Sequence, residues 1–392
     1  MITGSAGTGK SFLIRYICQE LDAKDEIYRV LAPTGVAALN VSGQTIHRFL
    51  GIRPDIRTPA DYLKIWKRSK VPWRSLKVII IDEVSMIHPN LFVLFDSICR
   101  LHKRNNAPFG GIQVILLGDY FQLSPIQEKD EASNAPKYIF ETEVWKKLGI
   151  HVHVLKQVMR QNDQEFIAAL NDLRVGFYSS RVKDLLQRCS KNTKEEGKHY
   201  VKLFSLNSQR NEANTIALTQ LRTEARIYRA HDVGDEKYLQ GCRAEKEVTV
   251  KIGCPVMMLW NLPEQGLCNG SIGMVEGYDE VGLPIVRFNS GVRATIKRQT
   301  WTVQEKGPTG LRVIASRTQV PLAVAWSITS HKAQGLTLCH LEVDLRGVFT
   351  SGQMYVMLSR AADSSGLIVR GFDRKAVMVD EVVKAFYEAN AL

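Results

Sequence analysis

The 392-residue chain is long enough for two or three domains, each with its own core. Its hydrophobic content of 45% is that of a globular protein, and its longest aliphatic runs, Val78–Ile81 and Val114–Leu117, have strand length, so neither a membrane-spanning helix nor a signal peptide is expected. A net charge of +12 suits a polyanionic partner, although plain solubility explains charge alone. The seven scattered cysteines form no CxxC pair and no zinc-spaced cluster, so they read as free thiols in a reducing compartment.

In chain order the first signal is Gly4-Ser5-Ala6-Gly7-Thr8-Gly9-Lys10-Ser11. Gly4, Gly9, Lys10 and Ser11 satisfy the phosphate-loop spacing. Glycines let backbone N–H groups wrap a triphosphate at the positive end of a helix. Lys10 reaches the β- and γ-phosphates, and the Ser11 hydroxyl takes one place on Mg²⁺. A glycine turn that binds nothing is the bland alternative. Against it stands the helical pattern that follows, with Phe12, Leu13, Tyr16, Ile17 and Leu21 predicted to trace one apolar face. Only Met1, Ile2 and Thr3 precede the loop, so the first strand is expected to be short, or the chain to be part of a longer one.

Tyr28–Ala32 reads as a buried strand running into a polar turn at Thr34, and Gly43–His47 is a second polar loop. A loop threonine or a lone histidine is usually structural or a helix cap. Residues 53–77 read as an irregular, proline-marked excursion. From Arg57 to Lys77 it carries seven basic residues (Arg57, Lys64, Lys67, Arg68, Lys70, Arg74, Lys77) and one acid, Asp61, with Trp66 and Trp73 interleaved. Such a stretch can track a phosphate backbone and stack on bases, but each tryptophan is more often a core anchor.

Val78–Ile81 predicts a strand buried on both faces of a parallel sheet, ending in Asp82-Glu83 at the edge where such sheets bind ligands. Asp82 is the candidate Mg²⁺ ligand and Glu83 the candidate activator of water; an acidic helix cap is the alternative. Leu91, Phe92, Phe95, Ile98 and Leu101 predict a core-facing helix. A third strand, 112–117, leads to Gly118–Leu123, where Gln122 can sense a γ-phosphate. The first α/β domain is expected to close near residue 155.

A second α/β domain is predicted from Val201–Phe204, a helix over Gln209–Arg226, Val324–Ile328, Leu341–Val343 and Leu367–Val369. Within it, 245–318 alternates short strands with glycine turns, including Asn269-Gly270, and predicts a small inserted β module. From Arg287 to Arg317 there are again seven basic residues (Arg287, Arg293, Lys297, Arg298, Lys306, Arg312, Arg317) and one acid, Glu305. On a helix, Gln353, Met357 and Arg360 share a face, and an arginine delivered to a γ-phosphate stabilises the transition state; a surface arginine is the bland reading.

The segments Gly4–Ser11, Ala32–Leu39, Asp82–Glu83, Gly118–Leu123, Arg160-Gln161, His331–Thr337 and Gln353–Ala361 occur in the order and spacing of a RecD-like superfamily-one helicase. More closely, the chain resembles the "petite integration frequency" (PIF-one) DNA helicases. Asp96, Arg100 and Pro108–Gln113 resemble that family's signature between its second and third motifs. The resemblance runs from residue 1 to about 372. It implies an α/β fold of two RecA-like domains with ATP between them. These would be 1–155 (1A, with the excursion at about 53–77 as 1B) and 156–244 with 319–392 (2A), and 245–318 would be a small β-barrel (2B).

It also implies a monomeric ATP- and Mg²⁺-dependent motor that translocates 5′-to-3′ on single-stranded DNA. Its substrates would be forked duplexes, G-quadruplexes and RNA–DNA hybrids, in genome maintenance such as repair, recombination and telomere upkeep, with no membrane partner. The location implied is nucleus or mitochondrion in a eukaryote and cytoplasm in a bacterium. By motif, Gly4–Ser11 and Gly335 would hold nucleotide, Ser11 and Asp82 the metal. Lys10, Asp82, Glu83, Gln122, Arg160 and Arg360 would carry catalysis. Thr34, Thr45, His47, His331, Gln353 and Tyr355 would meet DNA. Two departures stand out: the family's upstream adenine motif would precede residue 1, and Ser124 replaces the first of two prolines, beside Pro125.

Two other readings compete. A non-catalytic single-strand-binding protein with an incomplete ATP site would keep the basic stretches, but has no use for Lys10, Asp82, Glu83, Gln122, Arg160 and Arg360 together. A GTPase or small-molecule kinase would leave the second domain unexplained, and no NKxD tetrapeptide is present.

Overall fold

The computed structural model describes residues 1–34, 37–38, 41, 43–52, 58–65, 71–125, 135–196, 200–234, 239, 242, 244–260, 262–267, 271–307, 310–334 and 336–390. The chain forms two compact units, Met1–Lys198 with Ser330–Leu392, and His199–Thr329.

The first unit is built on parallel strands. These are β1 (Ile2–Gly4), β2 (Tyr28–Ala32), β3 (Gln44–Thr45), β4 (Val78–Ile81), β5 (Gln113–Leu116) and β6 (His153–Leu155). Strands β3-β2-β4-β5 form one sheet and β1-β6 another. A single parallel bridge, Ile2 to Leu117, joins them. Strand β4 is buried at all four positions, and its successive side chains enter two different cores. Ile79 and Ile81 join Leu31, Phe92 and Phe95 on one face, while Val78 and Ile80 join Ile14, Val30 and Leu117 on the other. This is the two-sided burial that an unbroken aliphatic run predicts.

Helix α1 (Lys10–Ala23) follows the glycine loop as expected, and its buried face shares Ile17 and Leu21 with the predicted one. Phe12 and Tyr16 are 72% and 55% exposed. Ile14 and Cys18 join Ile17 and Leu21 on the sheet in their place, a stripe at i, i+3, i+4 and i+7. The large aromatic side chains misdirected the predicted face. Helix Pro89–Lys103 buries Phe92, Phe95 and Ile98 as expected, whereas Leu101 is exposed.

The region expected to be irregular holds a helix, Pro59–Ile65; residues 53–57 and 66–70, with Trp66, lie outside the described residues. Trp73 is a core anchor, stacked on His102 at 4.5 Å and tilted against Phe49 at 5.2 Å. Later in the same unit, strands Leu341–Asp344 and Leu367–Arg370 pair in parallel. The helix Gln353–Leu358 is buried at every position, and helix Glu381–Ala389 sends Val383 and Tyr387 into the core of the parallel sheet.

In the second unit, Val201–Phe204 pairs in parallel with Ser327–Thr329. Helix Asn207–Gln220 ends earlier than predicted, because Ala225–Arg229 is a strand paired with Glu247–Lys251, with Tyr228 buried opposite Val248. Five antiparallel strands follow in the order Arg293–Thr295, Pro284–Phe288, Ile272–Tyr278, Pro255–Met258 and Leu322–Val324. A long hairpin, Gln299–Gly307 with Gly310–Gln319, was not anticipated. The Asn269-Gly270 turn lies outside the described residues.

Candidate active site

The glycine loop leaves β1 at Gly4 and enters α1 through Gly9, which caps the helix in the left-handed region at φ 84°. Gly7 has φ 83°, and a Cβ there would sit 2.6 Å from the Cβ of Arg160. Only glycine permits both that conformation and that approach. The Met159 amide donates to the Gly7 carbonyl at 2.8 Å, so the segment after β6 is tied to the loop through backbone.

Inside the loop, Lys10 Nζ donates to the carbonyls of Gly4 at 2.6 Å and Ser5 at 3.0 Å. Burial lowers its pKa, while Asp119, Glu83 and Asp82 pull it back up. The Ser11 hydroxyl donates to Asp82 Oδ2 at 3.3 Å. Burial, then the Glu83 charge, raises the Asp82 carboxyl to about 7. Lys10 and the Ser11 hydroxyl oppose that rise. Glu83 itself sits in the left-handed region at φ 51°, a costly conformation for a non-glycine residue and one found at functional sites.

The loop after β5 brings two more groups. Gln122 is buried, and Asp119 is fully buried. Arg174 grips Asp119 with two hydrogen bonds, Nε to Oδ2 and Nη2 to Oδ1, both 2.9 Å. The Tyr387 hydroxyl adds a bond to Asp119 Oδ1 at 3.2 Å, and pairs with Thr3 of β1 at 2.8 Å. Burial pushes the Asp119 carboxyl up, but Arg174 and Lys10 more than offset it and hold it low.

Arg160 and Arg360 come from segments far apart in sequence. Arg160 Nη1 donates to the Ser359 carbonyl at 3.1 Å. Arg360 is 2% exposed, and among the described residues its side chain donates to the Val356 carbonyl at 3.0 Å and the Ser359 hydroxyl at 2.9 Å. Burial, then the neighbouring Arg160 charge, lowers Arg360 to about 9, with Glu83 opposing. Among the described residues no carboxylate lies within ion-pairing distance of either arginine. Gln161 fixes the same turn through the carbonyls of Ser359 and Ala361, at 3.3 and 3.0 Å.

The structure thus gathers Lys10, Ser11, Asp82, Glu83, Gln122, Arg160 and Arg360 within one unit. Tyr355, expected among the DNA-contacting residues, is instead buried with its hydroxyl accepting from the Ala6 amide at 2.7 Å. Gln353 is likewise fully buried, bonded to the Ser330 hydroxyl at 3.2 Å and to the Phe349 amide at 3.1 Å. Neither presents a side chain to an exposed face, because their helix is enclosed on all sides. Gly352, which opens that helix at φ 74°, lies so close that a Cβ would meet the Phe121 carbonyl at 2.3 Å.

Thr34 and Thr45 follow β2 and end β3, where they accept from the amides of Ala37 and Arg48, both at 3.2 Å. His47 is half-buried, and burial lowers its pKa. Gly335 and the side chain of His331 lie outside the described residues. Sequence reasoning missed Arg174, Tyr387 and Gln334. Gln334 stands within the quoted His331–Thr337 motif, and its Nε2 donates to Glu83 Oε2 at 2.9 Å. Nothing local marks Arg174 or Tyr387, which act from distant helices.

Comparison with known proteins fits this geometry. The family profile "PIF1-like helicase" matches residues 1–184, and "DNA helicase Pif1, 2B domain" matches residues 238–278. The Danio rerio ATP-dependent DNA helicase PIF1 is 38% identical over 98% of this chain, which spans 60% of that relative's length. Among solved structures, the Pif1 helicase of Candida albicans aligns with a TM-score of 0.89 at 33% identity, covering 99% of this chain and 94% of its own. The Bacteroides Pif1 helicase in complex with ADP-AlF3 and single-stranded DNA aligns at 0.79 and 29% identity, covering 100% and 92%. With its motifs, its parallel sheet and these relatives in agreement, the chain belongs to the PIF1-like helicase family.

Proposed function

We propose that this chain is an ATP-driven DNA helicase that moves 5′-to-3′ along single-stranded DNA and opens forked duplexes. The observation that carries this reading is the pair beside the glycine loop, the half-buried Arg160 and the buried Arg360, with no carboxylate partner among the described residues. A buried unpaired guanidinium is costly, and an anion that enters the site relieves the cost. A γ-phosphate is such an anion, and charge that develops on it in the transition state is what two arginines stabilise.

In this mechanism Lys10 and the loop amides hold the β- and γ-phosphates. Gln122 senses the γ-phosphate, and Glu83 takes a proton from the attacking water. Ser11 and Asp82 suit a magnesium ion: a hydroxyl and a carboxylate stand side by side, and no cluster of three or more acidic, histidine or cysteine ligands occurs among the described residues. Two protein oxygens plus nucleotide and water match that metal's habit. Held by Ser11 and Asp82, such an ion would supply positive charge against the phosphates. Its affinity for the nucleotide-free protein is testable by calorimetry without turnover.

We assign residues 1–155 to RecA-like domain 1A, 156–244 with 319–392 to 2A, and 245–318 to a small β-barrel 2B. Thr34, Thr45, His47 and His331 are the proposed strand contacts, with Gly335 at the nucleotide. Binding is mainly to phosphates and stacked bases, so it weakens with salt. Duplex forks, G-quadruplexes and RNA–DNA hybrids are the proposed substrates of a monomer acting in genome maintenance, in the nucleus or mitochondrion of a eukaryote or the cytoplasm of a bacterium.

Unwinding assays on forks with a single 5′ or 3′ tail test the reading. ATP-dependent separation only with the 5′ tail is expected. Binding to single strands with no ATP hydrolysis would favour the non-catalytic alternative.

A further inference from the structure

Gln334 is 6% exposed and makes one described side-chain hydrogen bond, from Nε2 to Glu83 Oε2 at 2.9 Å. Its other amide atom, Oε1, is buried with no partner among the described residues. An amide facing a carboxylate must present its NH₂, so the assignment of N and O is fixed by chemistry. A buried carbonyl oxygen left without a donor is unfavourable, and such atoms gather at working sites. Glu83, for its part, stands on a strained left-handed backbone. Two independent irregularities therefore meet at one hydrogen bond.

We propose that Gln334 is a positioning residue for ATP hydrolysis, holding the Glu83 carboxylate in the orientation that accepts the proton of the attacking water. The inference rests on the ATP-hydrolysing role proposed above. In the step concerned, a water oxygen forms a bond to the γ-phosphorus. The bond to the β–γ bridging oxygen breaks, its electron pair leaves on ADP, and the water proton passes to Glu83. A free glutamate samples several rotamers, and only some aim an oxygen at the water. Gln334 restricts that choice, and its orphaned Oε1 offers the same water an acceptor. Gln334 follows directly on helix Ser330–Ala333, so displacement of that helix moves the Glu83 contact with it.

The test is a double-substitution cycle on the whole chain. Gln334→Met keeps the volume and removes the amide; Gln334→Asn keeps the amide and shortens its reach. Wild type, each variant, Glu83→Gln and the Glu83→Gln/Gln334→Met pair are compared for ATP turnover with saturating oligonucleotide, KM for ATP, oligonucleotide affinity and melting temperature. Both Gln334 variants are expected to lose at least about tenfold in kcat, with KM and oligonucleotide Kd within about threefold of wild type. Gln334→Met is expected to cost nothing further once Glu83 is glutamine. Unchanged kcat in a folded Gln334 variant, or full additivity in the pair, would overturn the proposal. No turnover by wild type would instead remove the reading beneath it. If Gln334→Met lowers the melting temperature severely, Gln334→Asn alone decides the question.

Discussion

Arg174 closes a two-point ion pair on Asp119, with both N–O distances at 2.9 Å and the aspartate fully buried. The guanidinium also lies 4.7 Å from the centre of the Phe121 ring and 5.4 Å from that of Tyr387. This arrangement fixes the loop that carries Gln122 against β1, because Tyr387 bonds both Asp119 and Thr3. Helix Glu381–Ala389 therefore reaches the base of the glycine loop through one hydroxyl.

Tyr387→Phe removes that hydroxyl and leaves the ring stack with Phe121 in place. It strips bonds from Thr3, the Tyr120 amide and Asp119. The expected cost is about 1–3 kcal/mol. Arg174→Met, which leaves Asp119 charged and buried, is expected to cost roughly 3–5 kcal/mol. Urea unfolding checks both, and equal stabilities for the two variants would contradict the ranking.

Arg360 illustrates stability given up at a working site. Its pKa is lowered to about 9 by burial and then by Arg160, well below the ordinary guanidinium value. The unfolded state thus binds the proton more tightly. The penalty is complete below pH 9 and fades as pH rises above that value. Arg360→Met is expected to stabilise the nucleotide-free protein at pH 7 by about 1 kcal/mol or more, and so to raise its melting temperature, while abolishing hydrolysis. Calorimetry at pH 7 and at pH 9.5 should show the gain shrinking at the higher value.

Asp96 explains the resemblance carried by 96–113. Its Oδ1 accepts from the Phe109 amide at 2.6 Å, and its Oδ2 pairs with Arg100 Nε at 2.8 Å. One carboxylate thus pins helix Pro89–Lys103 to the turn that starts β5. Asp96→Ala is expected to cost roughly 2–4 kcal/mol, because it orphans a buried amide and removes the ion pair of Arg100. Thermal unfolding tests this; a shift below about 2 °C would count against the staple.

Gly352 permits helix Gln353–Leu358 to start against the Phe121 and Gln122 carbonyls. Gly352→Ala adds a Cβ where none fits, on a backbone at φ 74°. The variant should lose ATP turnover more steeply than nucleotide affinity, because the loop displaced is the one that carries Gln122. Steady-state kinetics separates the two quantities.

Much of the fold was legible because its signals are local. Val78–Ile81 is a strand at the predicted residues, and the glycine loop does lead into a helix. Catalytic candidates were readable where a motif keeps its residues adjacent, as at Lys10-Ser11 and Asp82-Glu83. What escaped was set by tertiary packing. The buried face of α1 turns on Ile14 rather than on its exposed aromatics. Tyr355 faces the glycine loop because the whole helix around it is enclosed. Arg174 and Tyr387 meet Asp119 across 55 and 268 residues of sequence, a relationship that no spacing rule encodes.

The most direct test is ATP hydrolysis by Lys10→Ala, measured with and without a single-stranded oligonucleotide alongside oligonucleotide binding by fluorescence anisotropy. Loss of oligonucleotide-stimulated hydrolysis with binding largely kept is the result expected. Normal turnover in the folded variant would contradict the assignment of a triphosphate to this loop.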